Sequence, residues 1–151
     1  MIIISPYSKK TPTGQSSAKD YPFWKELIPL LPGKVVQIGA KGETPLVEDF
    51  RTYSFAELKE FIKEMDFFIS VDNFFPHFCH HYGRHGIVLF GKSDPKLFGY
   101  EENMNLLKDR KYLRPDQFLW WHSEKQDPEV FVSPEEVAGI ANTLHGVVQG
   151  N

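Results

Sequence analysis

The sequence predicts an α/β fold, a parallel sheet held between two layers of helices. Three observations predict it. Strand-like runs alternate with helix-like runs, as in chained βαβ units. The strand runs, among them Ile2-Ile3-Ile4 and Phe67-Phe68-Ile69-Ser70-Val71, are nearly continuous apolar stretches. That is the pattern of strands covered on both faces. The joints between runs are short and carry Gly or Pro.

The elements follow in order. Residues 2–4 make the first strand, and the polar stretch 5–18 a loop. Phe23, Trp24, Leu27, Ile28 and Leu31 recur at helical spacing, with Pro22 suited to a first turn and Pro32-Gly33 ending the segment. Residues 34–39 read as the second strand and 40–43 as a tight turn. Residues 45–50 suit a short helix, and 51–53 a connector or short strand. Ser54 and Glu57 form the capping-box pattern ahead of Phe55, Leu58, Phe61, Ile62 and Met65. Residues 67–71 and 86–91 are the third and fourth clear strands, separated by a helix over 76–82 that Gly83 stops. Residues 96–128 read as irregular, with Trp120-Trp121-His122 their strongest apolar cluster. Ser133-Pro134-Glu135-Glu136 opens a final helix running through Val148.

At 151 residues the chain is expected to be one domain, 1–151, large enough for a real core. The net charge of −3 argues against a broad basic surface for nucleic acid. One cysteine, Cys79, excludes an internal disulfide and fits a reducing compartment. The opening apolar run is too short for a signal peptide, and no segment has the length of a membrane span. The expectation is a soluble cytoplasmic protein.

Polar residues fall where an open parallel sheet binds its ligands, beyond the carboxyl ends of the strands. Asp72 stands at the end of the third strand, and Ser93 and Asp94 just past the fourth. Four ordered pieces carry a family likeness: Ile2-Ile3-Ile4-Ser5-Pro6; Lys19-Asp20-Tyr21-Pro22; Val35-Val36-Gln37-Ile38-Gly39 with Glu43; and Ser70-Val71-Asp72, His77 and Leu89-Phe90-Gly91-Lys92-Ser93-Asp94-Pro95. Together they resemble the C-terminal, donor-binding half of GT-B glycosyltransferases. More specifically, the chain is similar to the ADP-heptose:lipopolysaccharide heptosyltransferases of glycosyltransferase family nine. The resemblance implies a Rossmann-like three-layer α/β/α domain of the GT-B C-terminal type. It also implies metal-independent, inverting glycosyl transfer from a nucleotide-sugar donor, an ADP-sugar by preference, with no cofactor. The acceptor site and catalytic base are then expected on an N-terminal half, from another chain or a second copy. The catalytic residue itself is left unknown.

The resemblance assigns donor-binding roles to Lys19, Glu43, Asp72, Asn73, His77, Ser93 and Asp94; Ser8 is a further donor-binding candidate from its place past the first strand. Lys19 is the cation for the diphosphate, His77 a hydrogen-bond partner for phosphate or sugar, and Glu43 an acceptor for ribose hydroxyls. Each residue also has a plainer reading. Lys19 is a solvated lysine before a helix, Asp72 a capping aspartate, His77 a helix histidine, and Glu43 an exposed loop acid. Ser93 and Asp94 make a local turn with Pro95, and Ser5, Tyr7 and Ser8 are ordinary loop polar groups. Where the family places Ser or Thr and then Gly after the aspartate, this chain has Asn73 and Phe74. A side chain at that glycine position crowds a phosphate cradle. Hence a second expectation: a non-catalytic nucleotide-binding or protein-interaction module on the same fold. His77 and His81 have the spacing of a zinc pair, but no second ligand set accompanies them, so no metal is expected. The aromatic fraction of 15%, with Phe74 and Phe75 near the strand ends, suits an apolar face for a companion half or self-association.

Overall fold

The computed structural model describes residues 1–9, 17–119 and 124–150. The Trp120-Trp121-His122 cluster lies outside the described residues. Six parallel strands form one sheet: β1 (Ile2–Ser5), β2 (Val35–Ile38), β3 (Phe50–Arg51), β4 (Phe67–Val71), β5 (Gly86–Phe90) and β6 (Met104–Leu107). Their order is β3-β2-β1-β4-β5-β6. Register is fixed in the centre, where Ile4 stands opposite both Gln37 of β2 and Ile69 of β4.

The pleat divides the core in two. Ile2 and Ile4 of β1, Phe67, Ile69 and Val71 of β4, and Ile87 and Leu89 of β5 face one layer. There they meet α1 (Trp24–Leu27) and α5 (Pro134–Gly150). Ile3, Phe68, Val88 and Phe90 face the other layer, against α2 (Phe55–Phe61) and α3 (Phe74–His81). All three isoleucines of β1 are fully buried. Each is worth about 1.5–3 kcal/mol relative to exposure, so this strand anchors both layers. Gly86 opens β5 where a Cβ would lie 2.4 Å from the Phe68 carbonyl oxygen. The close approach of β4 there admits no side chain.

The two helical layers fix where a crevice opens. From β1 the chain crosses to α1 on one face; from β4 it crosses to α3 on the other. β1 and β4 are sheet neighbours, so their carboxyl ends form the topological switch point.

Several local expectations change. The helix read over residues 21–31 is α1 followed by a 3₁₀ turn, Ile28–Leu30, because Pro29 cannot donate the next helical hydrogen bond. The short helix expected over 45–50 is absent. Gln37 explains this: its fully buried amide donates to the Thr44 carbonyl at 3.1 Å and accepts from the Leu46 amide at 2.6 Å. The backbone there bends over residues 46–48 and leads into β3. The Ser54–Glu57 capping box is present as read. Within 96–128, α4 (Pro95–Phe98) and β6 emerge, with β6 an edge strand carrying half-exposed Met104. Helix α3 begins at Phe74 rather than Pro76, because Asn73 supplies the cap. Among the described residues no helix is long and apolar enough to cross a membrane.

Candidate functional site

A cavity of about 790 Å³ opens at the carboxyl ends of β1, β2 and β4. Its walls come from the loop after β1, the loop after β2, and the β4–α3 junction. Of the residues singled out in the sequence, Ser8, Lys19, Glu43, Asp72 and Asn73 all line it.

Lys19 approaches from the segment ahead of α1 and crosses the switch point. Its Nζ lies 3.3 Å from Asp72 Oδ2, with the two side chains 24% and 9% exposed. This ion pair bridges the two chain paths that diverge there. It also keeps a largely buried carboxylate from standing without a counter-charge. Lys9 and Lys41 add two exposed ammonium groups to the same cavity wall.

Asn73 stitches the β1 and β4 ends together. Its Nδ2 donates to Ser5 Oγ at 2.9 Å and to the Tyr7 carbonyl at 3.0 Å. Its Oδ1 accepts from the Phe75 amide at 2.9 Å and from Ser70 Oγ at 3.1 Å. The side-chain amide is therefore committed to the protein on both sides. Of the first three residues of α3, Phe75 gives its N–H to this cap and Pro76 has none. The helix start offers an anion fewer amides than its position alone would suggest.

Glu43 folds back against the end of β2. A Cβ on Gly39 would lie 2.3 Å from Glu43 Oε2, so glycine there leaves the room that the carboxylate occupies. Tyr7 donates its hydroxyl to the Thr44 carbonyl at 3.1 Å, tying the first loop to the second. Burial raises the Tyr7 phenol above its usual range, and the charges of Asp20 and Glu43 add to the effect.

Phe74 stands at the cavity edge, 48% exposed. Its ring lies 6.1 Å from Phe55 and 6.4 Å from Phe78, along the outer surface of α2 and α3. A cavity remains beside it, and a smaller one of about 300 Å³ opens on its other side, lined also by Ile38, Tyr53 and Leu58. The two share Ile38, Gly39, Ala40, Lys41 and Phe74.

His77, Ser93 and Asp94 stand apart from the larger cavity. His77 is exposed on α3, its Nδ1 2.6 Å from the Tyr100 hydroxyl. Tyr100 stacks on His80 at 3.8 Å, and His80 in turn pairs with Glu102. Ser93 is buried. Asp94 caps α4 and accepts from Arg110 Nη1 at 3.0 Å and Nη2 at 2.8 Å. The guanidinium holds the Asp94 carboxyl below its usual range. Cys79, between the histidines in sequence, lies in the core against β5, and burial pushes its thiol up to about 12. Among the described residues no group of three or more His, Cys, Asp or Glu side chains is arranged to hold a metal ion.

The sequence reading passed over Asp20, Lys9 and Lys41. Asp20 is 6% exposed and accepts from the Ser8 amide at 2.8 Å and from Ser8 Oγ at 3.0 Å. Its place beside Lys19 was visible in the sequence; its burial was not.

No protein-family model matches the chain, and no curated protein sequence matches it at a significant level. Among solved structures, the chain is similar to TibC, a dodecameric iron-containing heptosyltransferase crystallised in complex with ADP-D-β-D-heptose. The TM-score is 0.69 at 17% identity, and the match covers 97% of this chain and 45% of that one. At that identity the likeness establishes the fold alone: this chain has an α/β, Rossmann-like architecture like that of its structural neighbour, and it spans 45% of that neighbour.

Proposed function

We propose that residues 1–151 are a donor-binding domain of a GT-B-type glycosyltransferase, taking a nucleotide-sugar in the cavity at the switch point. The observation that carries this reading is the Lys19–Asp72 pair set across the β1 and β4 ends beside open space. The diphosphate lies against Lys19, with Lys9 and Lys41 at the rim; Ser8 lines the same wall with its amide and hydroxyl both given to Asp20. Glu43 accepts from the ribose. The base enters the apolar slot between Phe74, Tyr53 and Leu58. An ADP-sugar is the favoured donor, consistent with the ligand named for TibC. A single cysteine, which leaves no internal disulfide, suits the cytoplasm.

The chemistry required of such a site is the capture of charge. When the bond from anomeric carbon to phosphate oxygen breaks, negative charge grows on the leaving diphosphate. Cations already in place meet that charge without reorganising. Lys19 exchanges Asp72 for phosphate as the donor binds. The acceptor hydroxyl, and the base that deprotonates it for attack with inversion, come from a companion half or a second copy of the chain. Calorimetry with ADP-, UDP- and GDP-sugars tests the reading. Binding of one donor class that weakens in Lys19→Ala supports it; no binding of any donor by the wild type, or unchanged affinity in the variant, defeats it.

A second reading rests on the exposed rings of Phe55, Phe74, Phe78 and Tyr82, which run from the cavity edge down α3. On this view the domain binds a nucleotide without catalysis and uses the aromatic face for assembly. Sedimentation with and without ADP separates the two: association through that face with no transfer in any reconstituted mixture favours the module.

A further inference from the structure

Asp20 is an unusual neighbour for an anion site. Its carboxylate lines the same cavity as three lysines, and a negative charge there opposes the binding of phosphate. It is also 6% exposed, and burial raises the carboxyl from its usual range, so the charged form is held at a cost. Hydrogen bonding resists that cost. Oδ1 receives both the Ser8 amide and the Ser8 hydroxyl, and the Ser17 backbone amide also donates to the carboxylate. Around it, the Asp20 amide donates to the Ser17 carbonyl at 3.0 Å. Ser17 Oγ accepts from the Lys19 amide at 3.1 Å, and Gln126 Nε2 donates to the Asp20 carbonyl at 2.8 Å. One buried side chain thus joins Ser8, on the β1 side of the loop, to Ser17, two residues before Lys19.

We propose that Asp20 is a positioning residue for the donor diphosphate: it clasps Ser8 and Ser17 together and so fixes the segment that carries the Lys19 ammonium at the cavity wall. This rests on the donor-binding reading above and adds to it the residue that preorganises the phosphate-facing lysine. The clasp lowers the ordering cost of binding, because that segment is already in place when the anion arrives. With its oxygens turned to internal donors, the carboxylate presents less charge to the incoming phosphate.

The test uses Asp20→Ala and Asp20→Asn, with two readouts. The first is amide hydrogen exchange on the ligand-free protein; the second is calorimetric titration with ADP. In Asp20→Ala, the Ser8 and Ser17 amides are expected to lose protection while those of Ile3 and Val88 keep theirs. ADP affinity is expected to fall about tenfold or more, the ratio one lost charge-assisted hydrogen bond is worth. Asp20→Asn keeps one acceptor oxygen and is expected to recover part of both, a rescue that loss of bulk alone does not explain. Should the alanine variant fail to fold, the asparagine variant carries the test: partial loss at Ser8 or Ser17 together with weaker ADP binding supports the clasp. Unchanged protection at both serines, or lost protection with undiminished affinity, overturns it. A wild type that binds no ADP overturns the donor reading instead, and the exchange experiment then still judges the clasp.

Discussion

Two rims of one sheet behave differently, although both lie at the carboxyl ends of parallel strands. At the β1–β4 rim, Lys19, Asp20, Glu43, Asp72 and Asn73 surround about 790 Å³ of open space. At the β5 rim, the polar groups face one another. Arg110 grips Asp94 with two hydrogen bonds, and Gln117 accepts from the Asp94 amide at 2.9 Å while donating to the Lys92 carbonyl at 2.9 Å. Glu124 stands 3.4 Å from Lys92 and 3.5 Å from Arg114. Strand direction is the same at both rims, so direction alone does not make a site. At β1 and β4 the chain leaves to opposite faces and a crevice remains. Beyond β5 the following segment returns to the strand end, where among the described residues its polar side chains pair with one another.

The comparison predicts that polar substitutions at the first rim alter ligand binding and those at the second alter only stability. The largest effect on the fold is expected from Asn73→Ala. It removes a helix cap and four further hydrogen bonds at the β1–β4 junction, a loss of about 2–3 kcal/mol. Denaturant unfolding measures this. A loss under about 0.5 kcal/mol, the range of an ordinary surface change, would mean that the junction is not stitched by this amide.

Next in size is the contrast between Lys19→Ala and Arg110→Ala. Lys19→Ala is expected to weaken ADP binding tenfold or more, roughly the ratio lost with one charge-assisted contact. Arg110→Ala breaks an ion pair whose arginine is half exposed and screened by solvent, so it should cost little stability and leave ADP affinity unchanged. Equal effects on affinity would erase the distinction between the rims.

How much of this was legible beforehand follows from what each residue needs. The central strands were readable because β1, β4 and β5 are buried on both faces, and such burial writes itself as unbroken apolar sequence. β6 was not, since Met-Asn-Leu-Leu at an edge lacks that signature, and β3 has only two residues. The Ser54 cap was readable because a capping box spans only four residues, Ser54 to Glu57. Asn73 was singled out on resemblance, but its capping and stitching role depends on Ser5 and Tyr7, which lie 66–68 residues away. Lys19 was named from the resemblance and Asp72 first from its place at a strand end, yet their pairing belongs to the fold. Asp20 had no signal of its own, because a buried aspartate and an exposed one look alike in sequence. His77 stood at the family spacing from Asp72, but Tyr100, on the loop before β6, holds its ring on the outer surface of α3.

A finer prediction sets the two rims against each other by pH. Arg110 lowers the Asp94 carboxyl, so this group's stabilising contribution is present above its unfolded value and is lost as pH falls through the lowered one. Burial raises the Asp20 carboxyl. Its contribution therefore runs the other way, present below the ordinary carboxylate value and lost as pH rises through the raised one. Asp94→Asn should then lose Tm relative to wild type as pH rises from acid towards neutral. Asp20→Asn should gain relative to wild type over the same rise, even while it weakens ADP binding. Thermal unfolding of the three proteins across that range checks both signs, and parallel curves for the two variants would abolish the contrast.

The smallest effect is expected in the layer beneath the rims. Cys79 is fully buried against the sheet and its thiol is pushed up to about 12, so at neutral pH almost none of it is thiolate. It should resist a thiol-specific reagent in the folded protein and react at the ordinary rate in denaturant. Because α3 also carries Phe74 at the cavity edge, the labelling rate reports on the opening of this helix. Saturating ADP should slow labelling if the donor site braces the β4–α3 junction, and leave it unchanged if the ligand binds elsewhere. The second result would detach the cavity from the helix that forms one of its walls, which makes this small signal a direct check on where the site ends.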